Sequence, residues 1–275
     1  MTQNGQYTCA SRTEQARNEV LVWKFISIFS ILSDSYCSWD EVYQREIENY
    51  VDDSDNQGTV WFSDSGAEEK VEQYLEDLAS EGRLIKNLEE IEGTDGVPTS
   101  FLDLGTGNGH MLFSLRDGDW RGFMLGVDYS AASVKLAAEI NESRDVDTSV
   151  AFQEYDILSG DGFPNQPRAE SGFDVVLDKG TFDAISLSSD KDSSGRRIFE
   201  TYNSRVKPLV KIGGLFIITS CNWTEDELRT WFEGEDASAP DCFKLKDRLE
   251  YPKFTFGGKS GQSVVTLVFT KERRT

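Results

Sequence analysis

The sequence predicts an α/β protein, in which N-terminal helices precede a mostly parallel seven-strand sheet that ends in an antiparallel hairpin. Three observations predict this fold. An apolar strand leads into a glycine-rich turn at 101–109. Strand-like and helix-like stretches then alternate, which is typical of parallel strands joined by crossover helices. Two strand-like stretches joined by glycines close the chain, which at 275 residues is long enough for one large domain.

The part of the chain before the glycine turn is predicted to be helical. Capping boxes at Ser38 and Ser65, each with a glutamate three residues later, predict one helix over 39–50 and a second from 65 to about 80. A turn-rich link at 52–58 separates the two helices.

The part after residue 98 contains the predicted sheet. Five strands are predicted at 100–104, 122–127, 149–153, 173–178 and 214–219. A helix over 110–115 follows the first strand, and the stretches 243–256 and 263–269 are predicted to pair as a hairpin across the glycines at 257–261. A parallel sheet that is finished by such a hairpin is the layout of the Rossmann-like, seven-strand methyltransferases.

The glycine turn is the most informative feature for binding. In Phe101-Leu-Asp-Leu-Gly-Thr-Gly-Asn-Gly109, the glycines let a flat or charged ligand approach the backbone and the N–H groups of the next helix. Asp128 ends the second strand, where a carboxylate can bind the ribose hydroxyls of a nucleoside. The Gly-x-Gly-x-Gly pattern, with His110 next, favours S-adenosylmethionine (SAM) over a dinucleotide. An ordinary strand-to-helix turn is the alternative interpretation.

Two more strand ends carry candidate site residues. After the third strand, Asp156 can accept a hydrogen bond from the adenine amino group while Ile157 covers the ring. The alternative is that Asp156 only caps the next turn. After the fourth strand, Asp178 and Lys179 face the place where a methyl acceptor must enter, because ligands of open α/β sheets bind at the carboxyl ends of the strands. The alternative for Asp178 is a turn-shaping role.

The fifth strand is followed by candidates for acceptor contact. Asn222 and Trp223 are such candidates, whereas Thr224 begins a further capping box with a glutamate three residues later and is therefore interpreted as structural. Trp223 can also be a core residue. Trp61 and Phe62 can cover the cofactor from the N-terminal part, or pack as ordinary aromatics.

Composition excludes several functions. The net charge of −21 repels phosphate backbones, so nucleic acid is a poor substrate. Between 40 and 95 there are 18 acidic and 4 basic residues, which indicates either a solvated face or a docking surface for a cationic protein segment. One histidine and four scattered cysteines predict no metal site and a reducing, intracellular compartment. The apolar run at 20–32 is too short to span a bilayer, so no membrane association is expected.

Six stretches, covering roughly 39–271, match the pattern of one family. They are Trp39-Asp-Glu-Val-Tyr43, Val60-Trp-Phe62, Asp103-Leu-Gly-Thr-Gly-Asn-Gly109, Asp178-Lys-Gly-Thr-Phe-Asp-Ala-Ile-Ser186, Ser220-Cys-Asn-Trp-Thr224 and Phe254-Thr-Phe-Gly-Gly-Lys259. In this combination the chain resembles the eukaryotic lysine methyltransferases that act on translation elongation factor 1-alpha. The fourth and fifth stretches together are the most specific.

The resemblance implies a cytoplasmic, SAM-dependent protein-lysine N-methyltransferase that modifies elongation factor 1-alpha, and we expect it to act as a monomer. The residues that would hold the cofactor are Asp103, Gly105, Gly107, Gly109, Asp128 and Asp156, with Ile157 against the adenine. One departure is Ser63, where the family usually has glycine, so the local backbone there needs to be examined.

The chain is divided into three predicted parts. Residues 1–38 form an atypical extension that does not match the family, 39–97 are the acidic helical part of the methyltransferase domain, and 98–275 are its SAM-binding core. For 1–38 two explanations stay open, a disordered or lineage-specific segment and a gene-prediction error such as translated intron, and the second is favoured.

Lysine methylation needs a neutral amine. Exposing that form at pH 7 costs about 4–5 kcal/mol, since the ordinary lysine pKa is near 10.4, and a desolvated channel lowers this pKa without a dedicated base. We predict that Asp178 orients the ammonium, that Asn222 and Trp223 line the channel, and that His110 is a packing residue. The alternatives are a small-molecule methyltransferase of the same fold and a non-catalytic scaffold.

Overall fold

The computed structural model describes residues 39–87, 96–144, 150–159, 163, 171–234, 239–252, 254–256, 259–261 and 263–274. The predictions for 1–38, including the apolar run at 20–32 and the capping serine at position 38, lie outside the described residues. Within the described ranges, no helix combines the length and the apolar character that crossing a membrane requires.

Within the described residues the main sheet has seven strands, which are numbered in chain order below and lie in the order β3-β2-β1-β4-β5-β9-β6. The strands are β1 Phe101–Leu104, β2 Met124–Asp128, β3 Val150–Glu154, β4 Phe173–Lys179, β5 Val210–Ser220, β6 Asp241–Leu249 and β9 Val265–Arg273. The strands β1 to β5 are parallel, and β9 lies between β5 and β6 and is antiparallel to both. The predicted fold class is therefore confirmed, as are the five predicted parallel strands.

The terminal hairpin differs in detail from the prediction. Its first arm, β6, ends at Leu249 and pairs with β9, so that Asp241 lies opposite Arg273. Pro252 follows shortly after β6 and has no N–H to donate, which is consistent with the early end of this arm. The loop between the two arms holds a separate two-stranded sheet of β7, Phe254–Phe256, and β8, Lys259–Gly261.

Seven helices occur within the described residues. They are α1 Trp39–Asp52, α2 Ala67–Ser80, α3 His110–Asp117, α4 Ala131–Ser143, α5 Thr181–Leu187, α6 Tyr202–Val206 and α7 Glu225–Glu233. The predicted helix at 39–50 is confirmed and is two residues longer at its end. The capping box at Thr224 is also confirmed, because its side chain and that of Glu227 each accept the other's backbone N–H.

The capping box predicted at Ser65 is wrong. Helix α2 begins after Gly66, whose φ of 63° places the chain in the left-handed region, and no side chain caps this end. The Ser65 hydroxyl donates instead to the carbonyl of Phe62 at 2.8 Å. Glu68 therefore does not return to the helix start, and its side chain is buried against the core.

The two N-terminal helices pack on different parts of the fold, α1 on helix α4 and α2 on the core beside β1. From α1, Tyr43 and Ile47 share a buried cluster with Leu136 and Ile140 of α4. From α2, the apolar face shares the core beside β1 with residues of α3; its buried members are Val71, Leu75 and Leu78. The N-terminal helices thus bring their side chains next to the glycine turn, while the predicted division at residue 97 stays a prediction.

Candidate functional site

The glycine turn lies at the point where the strand order reverses. Strand β1 is central, the chain moves outward through β2 and β3 on one side, and it returns through β4 and β5 on the other. Because these five strands are parallel, their carboxyl ends meet at one edge, where open α/β sheets bind ligands. All the candidate residues from the strand ends are therefore brought to this edge.

Two glycines of the turn are held where a side chain would not fit. Gly105 has a φ of 66°, and a Cβ there would lie 2.1 Å from the Thr181 hydroxyl oxygen. Gly107 has a φ of 59°, and a Cβ there would lie 2.7 Å from the Tyr43 hydroxyl oxygen. Gly109 precedes α3 as its N-cap. The turn is consequently packed against the start of α5 at Gly105 and against helix α1 at Gly107, where only a glycine fits.

Asp128 joins the end of β2 to the glycine turn. Its Oδ2 accepts the Gly107 N–H at 3.1 Å, and its Oδ1 accepts the Ser130 N–H at 3.0 Å. The residue is 6% exposed, and burial raises the pKa of its carboxyl. Each carboxylate oxygen has a further lone pair, so Asp128 can also accept hydroxyl donors.

Asp103 lies on β1 just before the turn and is 3% exposed. Its Oδ2 accepts the Thr106 hydroxyl at 2.8 Å. Burial raises the pKa of the Asp103 carboxyl to about 7, although the bond from Thr106 acts in the opposite direction. A cation that is placed beside this carboxyl would therefore meet a group whose charge changes near neutral pH.

The third strand end is more exposed. Asp156 lies on the surface, and its Oδ1 accepts the N–H of Leu158 at 2.8 Å, which is the turn-capping arrangement that the sequence left open. Ile157 is buried in the largest core cluster. The predicted contacts of Asp156 and Ile157 with an adenine stay predictions.

Asp178, at the fourth strand end, is 2% exposed and is surrounded by donors from the protein. Its Oδ2 accepts the Tyr202 hydroxyl at 2.6 Å, and its Oδ1 accepts the Thr181 N–H at 2.9 Å. The N–H of Phe182 lies within 3.3 Å of both oxygens. Burial raises the pKa of Asp178 to about 7. A direct contact with an incoming ammonium would compete with these bonds, and the predicted role stays untested.

Asp183 is a site residue that sequence reasoning missed. It lies in the first turn of α5 and is buried, and its Oδ1 accepts the Ser220 hydroxyl at 2.5 Å. Its Oδ2 accepts the Cys221 N–H at 2.8 Å. One carboxylate thus joins the first turn of α5 to the end of β5 and the loop that follows it. The available signal was an acidic residue three positions after the glycine at 180, in the stretch most specific to the family.

The loop after β5 is ordered by the same contacts. The N–H groups of Asn222 and Trp223 donate to the Ser220 hydroxyl at 3.2 and 3.0 Å. The Asn222 side chain is exposed, and the Trp223 ring stacks on Phe182 with 5.5 Å between ring centroids. Trp223 therefore serves as packing at one ring face, while its buried indole N–H has no hydrogen-bond partner among the described residues. Their predicted roles as channel residues stay predictions.

The aromatic pair before α2 borders the same edge. A Cβ on Gly180 would lie 2.9 Å from the Phe62 ring, and the Trp61 carbonyl accepts from Lys179 Nζ at 3.2 Å. Phe62, with a φ of 64°, and not Ser63, takes the left-handed conformation here. A serine is thus compatible with the local backbone at position 63.

His110 is not the simple packing residue that the sequence suggested. Its Nδ1 lies 2.6 Å from Oε2 of Glu68, and the other oxygen of Glu68 lies 3.3 Å from Lys179 Nζ. Sequence reasoning missed Glu68, which it assigned to a helix cap. Within the part of the chain that the structure describes, no group of histidine, cysteine and acidic residues is arranged to hold a metal ion.

The comparisons with known proteins agree with this geometry. The family described as "Methyltransferase domain" matches residues 97–261. The protein-lysine N-methyltransferase EFM4 of Saccharomyces cerevisiae is 41% identical over 234 residues, which cover 85% of this chain and 92% of that protein. EEF1A lysine methyltransferase 2 of Homo sapiens is 35% identical over 235 residues, which cover 85% of this chain and 84% of that protein. The chain belongs to this family of protein-lysine N-methyltransferases.

Membership confirms the family resemblance that the sequence motifs indicated. The protein-lysine N-methyltransferase efm4 of Schizosaccharomyces pombe is 37% identical over 236 residues. These residues cover 84% of this chain and 90% of that protein. In this methyltransferase, Asp183 joins in space the two most specific stretches of the family pattern, 178–186 and 220–224. The specific part of the family pattern is therefore a three-dimensional unit at the carboxyl edge of β4 and β5.

The thiol of this unit is predicted to be unreactive. Burial raises the pKa of the Cys221 thiol well above its usual range, and the charge of Asp183 acts in the same direction. Because the thiolate is the reactive form, we expect iodoacetamide at pH 8 to modify Cys221 at least about tenfold more slowly in the folded methyltransferase than in the unfolded chain. Mass spectrometry of the Cys221 peptide measures this, and equal rates in the two states would contradict it.

Proposed function

We propose that this chain is a SAM-dependent protein-lysine N-methyltransferase whose substrate is translation elongation factor 1-alpha. The observation that carries the proposal is the pair of hydrogen bonds to Asp183. They join the two family-specific stretches, 178–186 and 220–224, beside the glycine turn. The names of the relatives supply the substrate, since those from Homo sapiens, Mus musculus and Danio rerio are EEF1A lysine methyltransferases.

The residues present fit SAM. A turn with three glycines lies at the end of β1, and buried carboxylates lie on each side of it at Asp103 and Asp128. We infer that Asp128 would accept the ribose hydroxyls, that the turn at Gly105, Gly107 and Gly109 would lie against the aminoacyl end, and that Asp156 and Ile157 would border the adenine. SAM, when bound, supplies an electrophilic methyl group on a sulfonium.

The protein's own contribution to the reaction is alignment. In-line transfer requires the acceptor nitrogen to be held at a defined position, which is a large part of the catalytic effect in such reactions. Asp183 fixes helix α5 to the loop after β5, and Asp178 fixes the start of α5 through the N–H groups of Thr181 and Phe182. We infer that Asn222 and Trp223 line the entry of the lysine, whose ammonium loses its proton more readily where it is desolvated.

Asp178 acts in this proposal by orienting the acceptor side. Its carboxylate is already bound by three groups of the protein, so the structure favours an indirect effect through the turn at Gly180. The direct contact with the ammonium that the sequence suggested would require Asp178 to release one of them. Both forms of the role predict loss of turnover when the carboxylate is removed.

SAM binding is expected to become tighter as the pH rises. The Asp103 carboxyl has a pKa of about 7, so its charged form becomes dominant above that value. SAM is cationic at its sulfonium, and we expect its Kd to fall about fivefold between pH 6.0 and 7.5 as Asp103 ionises. Equilibrium binding across this range measures the trend. An Asp103→Asn variant should show a nearly flat profile, and weaker binding of the unchanged protein at the higher pH would contradict the prediction.

The test of function is an unbiased labelling experiment. Purified protein and methyl-labelled SAM are incubated with a cytosolic extract, and labelled bands are identified by mass spectrometry. The expected result is label on a lysine of elongation factor 1-alpha, which is lost with the Asp103→Ala variant. Label on a metabolite with no protein labelled would replace the proposal by a small-molecule acceptor, and the absence of SAM binding would replace it by a non-catalytic scaffold.

A further inference from the structure

We propose that Glu68, which lies on the N-terminal helix α2, is a positioning residue for methyl transfer. Its carboxylate holds the cofactor-side helix α3 and the acceptor-side end of β4 at a fixed separation. The inference rests on the proposed function, because it assigns to Glu68 a role in that reaction. Glu68 lies outside the two family-specific stretches, 178–186 and 220–224.

A single carboxylate makes both contacts. Glu68 Oε2 lies 2.6 Å from Nδ1 of His110, and Oε1 lies 3.3 Å from Nζ of Lys179. The Glu68 side chain is 6% exposed, whereas those of Lys179 and His110 are 20% and 42% exposed. The carboxylate of Glu68 is thus enclosed, whereas its two partners are partly exposed to solvent.

Each partner is attached to a different half of the site. His110 is the first residue of α3 and follows Gly109 directly, so its position is tied to the glycine turn. Lys179 is the last residue of β4, between Asp178 and the turn at Gly180. Its ammonium also donates to the Trp61 carbonyl. Glu68 lies on α2, which is part of neither the glycine turn nor the β4 end, and it therefore connects the cofactor side at His110 to the acceptor side at Lys179.

Glu68 and His110 each shift the pKa of the other. Burial by itself would raise the pKa of Glu68, but the bond with His110 and the charge of Lys179 outweigh it and hold the pKa below its ordinary value. The bond with Glu68 in turn raises the pKa of His110. Glu72 also faces His110, and the charge of Glu68 reaches Asp103 in the glycine turn. Glu68 is consequently ionised at neutral pH, so its carboxylate can pair with the Lys179 ammonium and accept a hydrogen bond from the His110 ring.

A buried ion pair contributes little net stability, because the desolvation of its charges offsets their attraction. Here both partners of Glu68 are partly exposed, so water can solvate them when the carboxylate is removed. Displacements of about 1 Å in a reacting geometry can reduce rates on the order of 100-fold. The proposal therefore predicts that loss of the carboxylate affects turnover more than it affects folding or binding.

The first test compares Glu68→Gln with Glu69→Gln, which removes the same charge from the adjacent, exposed residue of the same helix. The activity on elongation factor 1-alpha is measured at saturating SAM and normalised to the SAM-binding fraction of each preparation. We expect Glu68→Gln to lower kcat at least about tenfold, with the Kd for SAM and the KM for the protein substrate within about threefold of wild type. Glu69→Gln should keep the wild-type kcat.

A second test asks whether Glu68 acts through Lys179. Lys179→Met should lower kcat to a similar degree, and the double variant should lose little more than either single variant, because the residues form one coupled unit. Additive losses would contradict the proposal. So would an unchanged kcat in Glu68→Gln, or a loss that follows SAM affinity or melting temperature. If the wild-type protein and Glu69→Gln also fail to label elongation factor 1-alpha, then the proposed function itself fails.

Discussion

Replacing Asp128 by alanine is expected to weaken SAM binding about 100-fold, which corresponds to roughly 2.7 kcal/mol. Two losses combine in this variant. The ribose hydroxyls would lose a charged acceptor, and hydrogen bonds to charged groups contribute about 1.5–3 kcal/mol each. The N–H groups of Gly107 and Ser130 would also lose their acceptor, so the glycine turn would no longer be tied to β2.

The matched control for this variant is Glu154→Gln. Glu154 lies opposite Asp128 in the parallel register of β2 and β3, but its side chain is exposed. Titration calorimetry with SAM measures both variants. The control should bind like the wild-type protein, whereas a Kd of Asp128→Ala within threefold of the wild-type Kd would show that the ribose is bound elsewhere.

Replacing Asp178 by alanine is expected to destabilise the protein by about 3 kcal/mol and to reduce turnover strongly. In this variant the fully buried Tyr202 hydroxyl loses its hydrogen-bond acceptor. The first N–H groups of α5 lose the same acceptor. Unsatisfied buried groups cost about 1–3 kcal/mol each. For a chain of this size, we expect the melting temperature to fall by roughly 6–12 °C.

Tyr202→Phe separates the two contributions to this effect. It removes one hydrogen bond to Asp178 and keeps the carboxylate with its two backbone donors, so we expect a loss of only about 1 kcal/mol. Thermal unfolding and SAM binding are measured for both variants, together with methylation of elongation factor 1-alpha. If Asp178→Ala melts like the wild-type protein and keeps full turnover, Asp178 has neither the structural nor the orienting role.

The sequence predicted those parts of the site that depend on local pattern. The apolar strand before Gly105 and the acidic residue at 128 are features of consecutive residues, and the alternation of elements then places the strand ends at one edge. The capping box at Thr224 was also predicted, because both of its partners lie within one helical turn. Such features depend little on the remainder of the fold.

The contacts that sequence reasoning missed join residues far apart in the chain. Glu68 has the spacing of a capping glutamate, but its partners are His110, 42 residues away, and Lys179. The partners of Asp183 lie 37 and 38 residues further on. A one-dimensional pattern does not contain these distances, so the local interpretation of each carboxylate was the available one. The buried bonds of Asp178 were missed for the same reason, since Tyr202 lies 24 residues away.

The central claim is that this site methylates a lysine of elongation factor 1-alpha, and the most direct test is the mass of that substrate. Purified, unmodified elongation factor 1-alpha is incubated with SAM and a stoichiometric amount of the protein, and its intact mass and peptides are then measured. The account predicts a mass increase by whole methyl groups, located on lysine and absent with Asp128→Ala. An unchanged substrate mass, with SAM binding to the protein demonstrated in the same sample, would contradict it.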